Sequence, residues 1–181
     1  MKDTREQLSK LSVGLHWLVA VAIIGMLAFG LYIDGMERST ERGDMMNLHK
    51  SFGVAILALV CLRILWRWRN GFPVMLGQAP RWQLAAAHAV HGLLLLATLA
   101  MPLTGIMISL GGGHGLPFFG LTLVEDGNAQ QETIKAIGEA HGTIAWILIV
   151  LIALHVAAVL KHQVIDRDGT LRRMLGGRVS G

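Results

Sequence analysis

The sequence predicts an all-α membrane protein, a four-helix transmembrane bundle with both termini in the cytoplasm. Three observations carry that prediction. Four apolar stretches, 13–33, about 49–68, 82–110 and 140–160, each reach the roughly 20 residues that a bilayer crossing needs. Of the 16 Lys and Arg residues, 12 fall in the N-terminal tail, around the segment joining stretches two and three, or in the C-terminal tail, against four acids there; the opposite side has Arg38, Arg42, Lys50 and Lys135 against eight acids. The positive-inside rule then puts both ends in the cytoplasm, which demands an even number of spans. Third, 53% of the 181 residues are hydrophobic and the mean hydropathy is +0.53, far above a soluble domain. Little chain is left over, so residues 1–181 are expected to form a single four-span unit.

Residues 1–11 form a polar entry whose Lys2, Arg5 and Lys10 suit an anionic lipid surface. The first stretch is too long for a signal-peptide core and is read as a retained span. It places His16 in its first turn, with Trp17 beside it as an interface anchor. The charged, Gly-broken segment DGMERSTERGD reads as a solvated external turn. Span two opens with NLHKSFG, setting His49 at the outer membrane level, and closes on LRILWRWRN, an aromatic belt with snorkelling cations. Its Cys61 is the sole cysteine, which excludes an internal disulfide and any C-x-x-C-H haem attachment. The linker GFPVMLGQAP has two prolines and no helical period.

Span three carries His88 and His91 near its cytoplasmic end and Pro102 deep inside, where a kink is expected. In the external connection 111–139, GGGHGLPFFGLTL reads as irregular surface, with His114 as plain surface, while NAQQETIKAIGEA reads as a helical lead into span four. Span four, AHGTIAWILIVLIALH, has a histidine near each end. His141 and His155 are about 21 Å apart along the axis and about 40° from eclipsed, so both leave one helical face. No Walker loop, dinucleotide fingerprint, zinc spacing or internal repeat is present, and no nucleic-acid partner is expected.

Ionisable rings inside a membrane are costly and face the bundle interior or a functional site. Topology pairs them: His16 with His155 at the cytoplasmic leaflet, His49 with His141 at the outer one. Facing imidazoles are what bis-histidine haem ligation needs, and such ligation leaves no open iron position. The expectation is two stacked b-type haems. Gly14, Gly53 and Gly142 neighbour these rings in sequence, where a missing Cβ admits either a macrocycle or a close-packed helix; both readings stay open. A histidine-lined zinc or proton transporter is the competing use, but no acid lies within any span to complete a metal site.

The early HW, LHKSFG, AHAVHGLLLLATLAMPLTG, AHGTIAW and HVAAVLKHQVIDRDGTLRRM occur in an order and spacing that resembles the bacterial di-haem cytochrome b561 family, from Leu15 to Met174. The resemblance implies one four-span cytochrome b domain in the bacterial inner membrane, an oxidoreductase with two b haems on iron ligands His16, His155 (cytoplasmic side), His49 and His141 (periplasmic side). It further implies a ubiquinone site at residues matching His91 and His162; family members include a superoxide oxidase that passes electrons to ubiquinone. The residues agree in part, since His162 extends the stripe of His155 by roughly 10 Å and Lys161, Arg67 and Arg69 border the same spot. Imidazoles and cations there suit quinone carbonyls and proton delivery. Lys50 is a candidate for an outer haem propionate, and His88 is read as an interior or headgroup-level ring. The alternative function is an electron-transfer subunit between the quinone pool and a basic periplasmic redox partner, which an acidic exterior favours over an anionic substrate.

Overall fold

A computed structural model describes residues 3–74, 76, 80–128 and 131–179. Lys2 and four of the ten residues of the linker, 75 and 77–79, lie outside these residues. Four long helices dominate: α1 (Lys10–Asp34), α2 (Thr40–Asn70), α3 (Arg81–Gly111) and α4 (Gln131–Lys161). Each is long and apolar enough to cross a membrane. A helix of 31 residues is about 46 Å long, well beyond a hydrocarbon core of about 30 Å, so the ends project past it.

Local chemistry sets the ends. Ser9 caps α1 by accepting the Ser12 amide (3.1 Å), and Ser39 caps α2 by accepting the Arg42 amide (3.1 Å). The second cap starts α2 at Thr40, so the segment expected as a turn up to Asp44 is helical over its last five residues. Gly71, at φ 74°, stops α2 and returns its amide to the Arg67 carbonyl (2.8 Å). Pro102 sits inside α3, which runs on through it to Gly111.

All four helices meet at mid-height. Val19 and Ile23 of α1, Ile56 and Val60 of α2, Ala97 of α3 and Leu148 of α4 form one buried cluster, with Val60 and Leu148 fully sealed. Leu148 lies seven residues from both His141 and His155, so this apolar layer separates two levels of histidine. Outward, Leu18, Val21, Trp146, Val150 and Leu154 are exposed, as expected of a surface that lipid covers. α4 packs most closely on α3, and α2 on α1 and α3, whereas α4 approaches α1 and α2 more loosely among the described residues.

One segment departs from the expected all-α reading. Residues expected to be irregular form an antiparallel hairpin, β1 (Leu116–Phe118) and β2 (Leu121–Val124). Its two turn residues, Phe119 at φ 48° and Gly120 at φ 87°, supply the paired positive φ values of a primed turn. The hairpin seats on α2 through the Ser51 hydroxyl, which accepts the Phe119 amide (3.1 Å) and donates to the Asn47 carbonyl (2.8 Å). Gly115 at its foot is obligatory, because a Cβ there would lie 2.5 Å from the Val124 carbonyl oxygen.

At the opposite end the two tails knot together, so both termini share one end of the bundle. The Val179 amide donates to the Glu6 carbonyl (3.0 Å) and the Trp17 indole to the Met174 carbonyl (2.8 Å). Buried Arg173, on the short α5 (Thr170–Met174), donates to the carbonyls of Arg5 (2.9 Å) and Val74 (2.8 Å). Asp3 accepts the Ser9 amide (2.9 Å) and the Ser12 hydroxyl (2.7 Å) and pairs with Arg67 (3.0 Å). Burial alone raises the pKa of Asp3, but these hydrogen bonds and Arg67 outweigh it and hold the carboxyl below its usual range.

Candidate functional site

At the hairpin end, a cavity of about 790 Å³ opens among the four long helices, lined by His49 of α2 and His141 of α4. That volume is in the range of cofactor pockets. The helical offsets that bring His141 inward also bring Gly138, Gly142 and Ala145 to the lining. Arg38, Arg42 and Lys50 bring positive charge to the same space, while the Lys50 ammonium also donates to the His114 carbonyl (3.3 Å). His114, read from sequence as plain surface, belongs to this lining and to an adjoining polar recess of about 320 Å³ shared with Asn47, Lys50, Glu125 and Asp126.

The two outer imidazoles are held differently. Nδ1 of His49 is buried with no hydrogen-bond partner among the described residues, and its ring lies 5.8 Å from Phe29 between centroids. A buried ring nitrogen left unpaired is costly and calls for a ligand. Nδ1 of His141 is 2.8 Å from the Thr104 hydroxyl. Glycine supports both rings, but not the glycines nearest in sequence. A Cβ on Gly30 would come 3.3 Å from Cε1 of His49, and one on Gly105 3.4 Å from Cε1 of His141; Gly14, Gly53 and Gly142 have open space where a Cβ would stand. For Gly53 and Gly142 that space is the cavity itself, so the macrocycle reading of these two fits and the tight-packing reading does not.

At the termini end, His16 of α1 faces His155 of α4 with ring centroids 6.3 Å apart. With metal–nitrogen bonds of about 2.0–2.1 Å, two coaxial imidazoles on one iron have centroids about 6–6.5 Å apart. The pair has the required separation. One feature needs rearrangement: a guanidinium nitrogen of Arg63 lies 3.1 Å from Nδ1 of His16. Arginine only donates, so that Nδ1 accepts and Nε2 carries the proton; ligation through Nε2 requires Arg63 to move away and the proton to shift. Arg63, read from sequence as a snorkelling cation, is thus turned inward.

His91 lies against His155 (5.3 Å between centroids), at the level of the inner pair rather than below it. His88 is exposed, its Nδ1 2.8 Å from the Leu84 carbonyl of its own helix. His162 opens a π-helical turn (His162–Asp166) that continues α4. Its buried Nδ1 is 2.7 Å from Asp168 and 3.0 Å from Asp166, contacts that are close but not aligned as hydrogen bonds. Burial raises the Asp168 pKa, yet the Thr170 hydroxyl and amide and the His162 ring outweigh it and keep the carboxyl below its usual range. Sequence reading missed this carboxylate pairing, although the i,i+4 spacing of His162 and Asp166 signals it. Arg67 is committed elsewhere: besides Asp3 it donates to the Ser12 hydroxyl and to the Gly71 carbonyl (3.2 Å), which makes it a tether of the tail rather than a free cation. Arg69 is exposed at the end of α2.

Comparison with known proteins agrees with this architecture. The sequence pattern of the prokaryotic cytochrome b561 family matches residues 7–177. The chain is 33% identical over 184 residues to cytochrome b561 homolog 2 of Escherichia coli K12, covering 96% of this chain and 94% of that one. It is 31% identical over 174 residues to cytochrome b561 homolog 1 of the same organism, covering 94% and 97%. A protein named probable superoxide oxidase CybB, from Yersinia pestis, is 29% identical over 167 residues, covering 92% and 94%.

Proposed function

The chain belongs to the prokaryotic cytochrome b561 family, a family of haem-b membrane proteins of electron transfer, and on that premise we propose that it is a two-haem oxidoreductase of the bacterial inner membrane. In this reading it takes electrons from superoxide on the periplasmic side and delivers them to ubiquinone near the cytoplasmic side. The observation that carries it is the pair of imidazole levels flanking the sealed Leu148 layer, one of them opening on a 790 Å³ cavity. His49 and His141 would hold the outer group, and His16 and His155 the inner one. Haem b held by such pairs would supply one-electron chemistry.

The remaining roles belong to the chain's own side chains. The hairpin end becomes periplasmic by the charge bias, and Lys50, Arg38 and Arg42 outnumber Asp34 in the cavity lining, leaving the sign that draws in a small anion. Lys50, which lines the cavity, is the proposed partner of a haem propionate. At the cytoplasmic end, His91 beside the inner pair and His162 backed by Asp168 are the proton-bearing groups for ubiquinone, with Arg69 at the margin. Arg67 keeps the tail folded against that end rather than meeting the quinone. The name of the Yersinia pestis relative supports superoxide as donor.

One observation favours a second donor. Glu125 and Asp126 line the outer recess beside Lys50, and that acidic rim suits a basic periplasmic redox protein exchanging electrons with the quinone pool. Rapid mixing of oxidised protein with superoxide separates the two. Haem reduction at about 10⁸ M⁻¹s⁻¹, slowing with added salt and followed by ubiquinone reduction, is expected of the superoxide oxidase. Slow reduction that ignores ionic strength would overturn that donor assignment.

A further inference from the structure

The two histidines of the outer pair differ in one respect that bears on how a haem is held there. A threonine hydroxyl has a single hydrogen to give. That of Thr104 lies 2.9 Å from the Ala100 carbonyl and 2.9 Å from the Met101 carbonyl in the preceding turn of α3, so its hydrogen is spent within the helix. Toward Nδ1 of His141, 2.8 Å away, the same oxygen can therefore only accept. The ring must carry its proton on Nδ1, and Nε2 keeps the lone pair that an iron needs.

The next residue completes the seat. Gly105 offers a bare Cα beside Cε1 of His141, at a distance where a Cβ would already be tight (3.4 Å). Thr104, with the Met101 carbonyl that also meets the ring, favours this tautomer, and Gly105 leaves room for the imidazole from a neighbouring helix. Among the described residues His49 has only the glycine half of this arrangement: Gly30 lies against its ring, but its Nδ1 has no partner there.

We infer that Thr104 is the positioning residue of the outer haem site, presetting His141 as an Nε2 ligand and tuning the bond by accepting from Nδ1–H. This rests on the assignment of His49 and His141 as haem ligands. A back-bonded threonine in a membrane helix also has a purely structural use. The two roles differ in what they move: a helix-stabilising hydroxyl leaves the electronic character of a neighbouring haem unchanged.

The test compares purified holoprotein carrying Thr104→Val or Thr104→Ser with wild type. Outer-haem signals are identified as those missing in His49→Ala. Thr104→Val is expected to raise the midpoint potential of the outer haem, because its ligand becomes less basic, to shift its ferric low-spin EPR signal, and to speed haem transfer to apomyoglobin about 10- to 100-fold. Thr104→Ser, which keeps the hydroxyl, is expected to match wild type, and the inner haem is the internal control. If Thr104→Val does not accumulate, Thr104→Ala removes the hydroxyl without branching and carries the same comparison. An outer haem with unchanged potential, EPR signal and retention in Thr104→Val or Thr104→Ala overturns the inference while leaving the ligand assignment standing. A wild-type protein with one haem, or a His141→Ala variant with two, overturns the ligand assignment itself.

Discussion

His141→Ala is expected to purify with one haem b per chain where the parent has two, and to lose superoxide-driven reduction by more than about 100-fold. The size follows from the chemistry: loss of an outer-shell partner costs about 10- to 100-fold in metal-site affinity or activity, and loss of the ligand itself costs more. His49→Ala should give the same phenotype, since the two rings line one cavity. His16→Ala and His155→Ala should remove the other haem and spare the outer one, because the Leu148 layer separates the levels. Pyridine haemochrome content per chain, read together with the reduced-minus-oxidised spectrum, checks all four. Two haems surviving in His141→Ala would contradict the pairing.

His162→Ala is expected to leave both haems reducible from the outer side yet to lower ubiquinone turnover about 10²- to 10⁴-fold, the contribution of a positioned proton donor. Asp168 is held ionised at neutral pH, and its carboxylate lies 2.7 Å from Nδ1 of His162. Its contact with Nδ1 holds the ring in place. Asp168→Asn should therefore act in the same direction with smaller size. His91→Ala is expected to impair turnover too, but its contact with His155 predicts a shifted inner-haem spectrum as well. Steady-state quinone reduction beside haem reduction kinetics separates these effects, and unchanged turnover in His162→Ala would remove His162 from the quinone site.

The spans were legible in the sequence because bilayer thickness imposes a length and an apolar composition that need no partner to recognise. The face shared by His141 and His155 was legible for a similar reason, helix geometry being local. What crosses between helices was not. Gly30 and Gly105 support His49 and His141 from other helices, so adjacency in the chain pointed instead to Gly14, Gly53 and Gly142. Arg67 looked free because its partner Asp3 is 64 positions away in sequence, and Arg63 looked lipid-facing because nothing local shows that it turns toward His16. The hairpin escaped notice because its strands have three and four residues and its turn places a phenylalanine at positive φ, where glycine or asparagine is the usual signal. No local signal marks Thr104, because the ring it meets, His141, lies on another helix.

In the proposed function two pairs of imidazoles hold two haems and leave neither iron open to an added ligand. Haem stoichiometry together with low-temperature EPR of the oxidised wild-type protein, before and after exposure of the reduced form to carbon monoxide, tests it most directly. Two haem b per chain, both low-spin as ferric and neither binding carbon monoxide as ferrous, is the predicted result. A single haem, or a high-spin, carbon-monoxide-binding haem at either level, would contradict it.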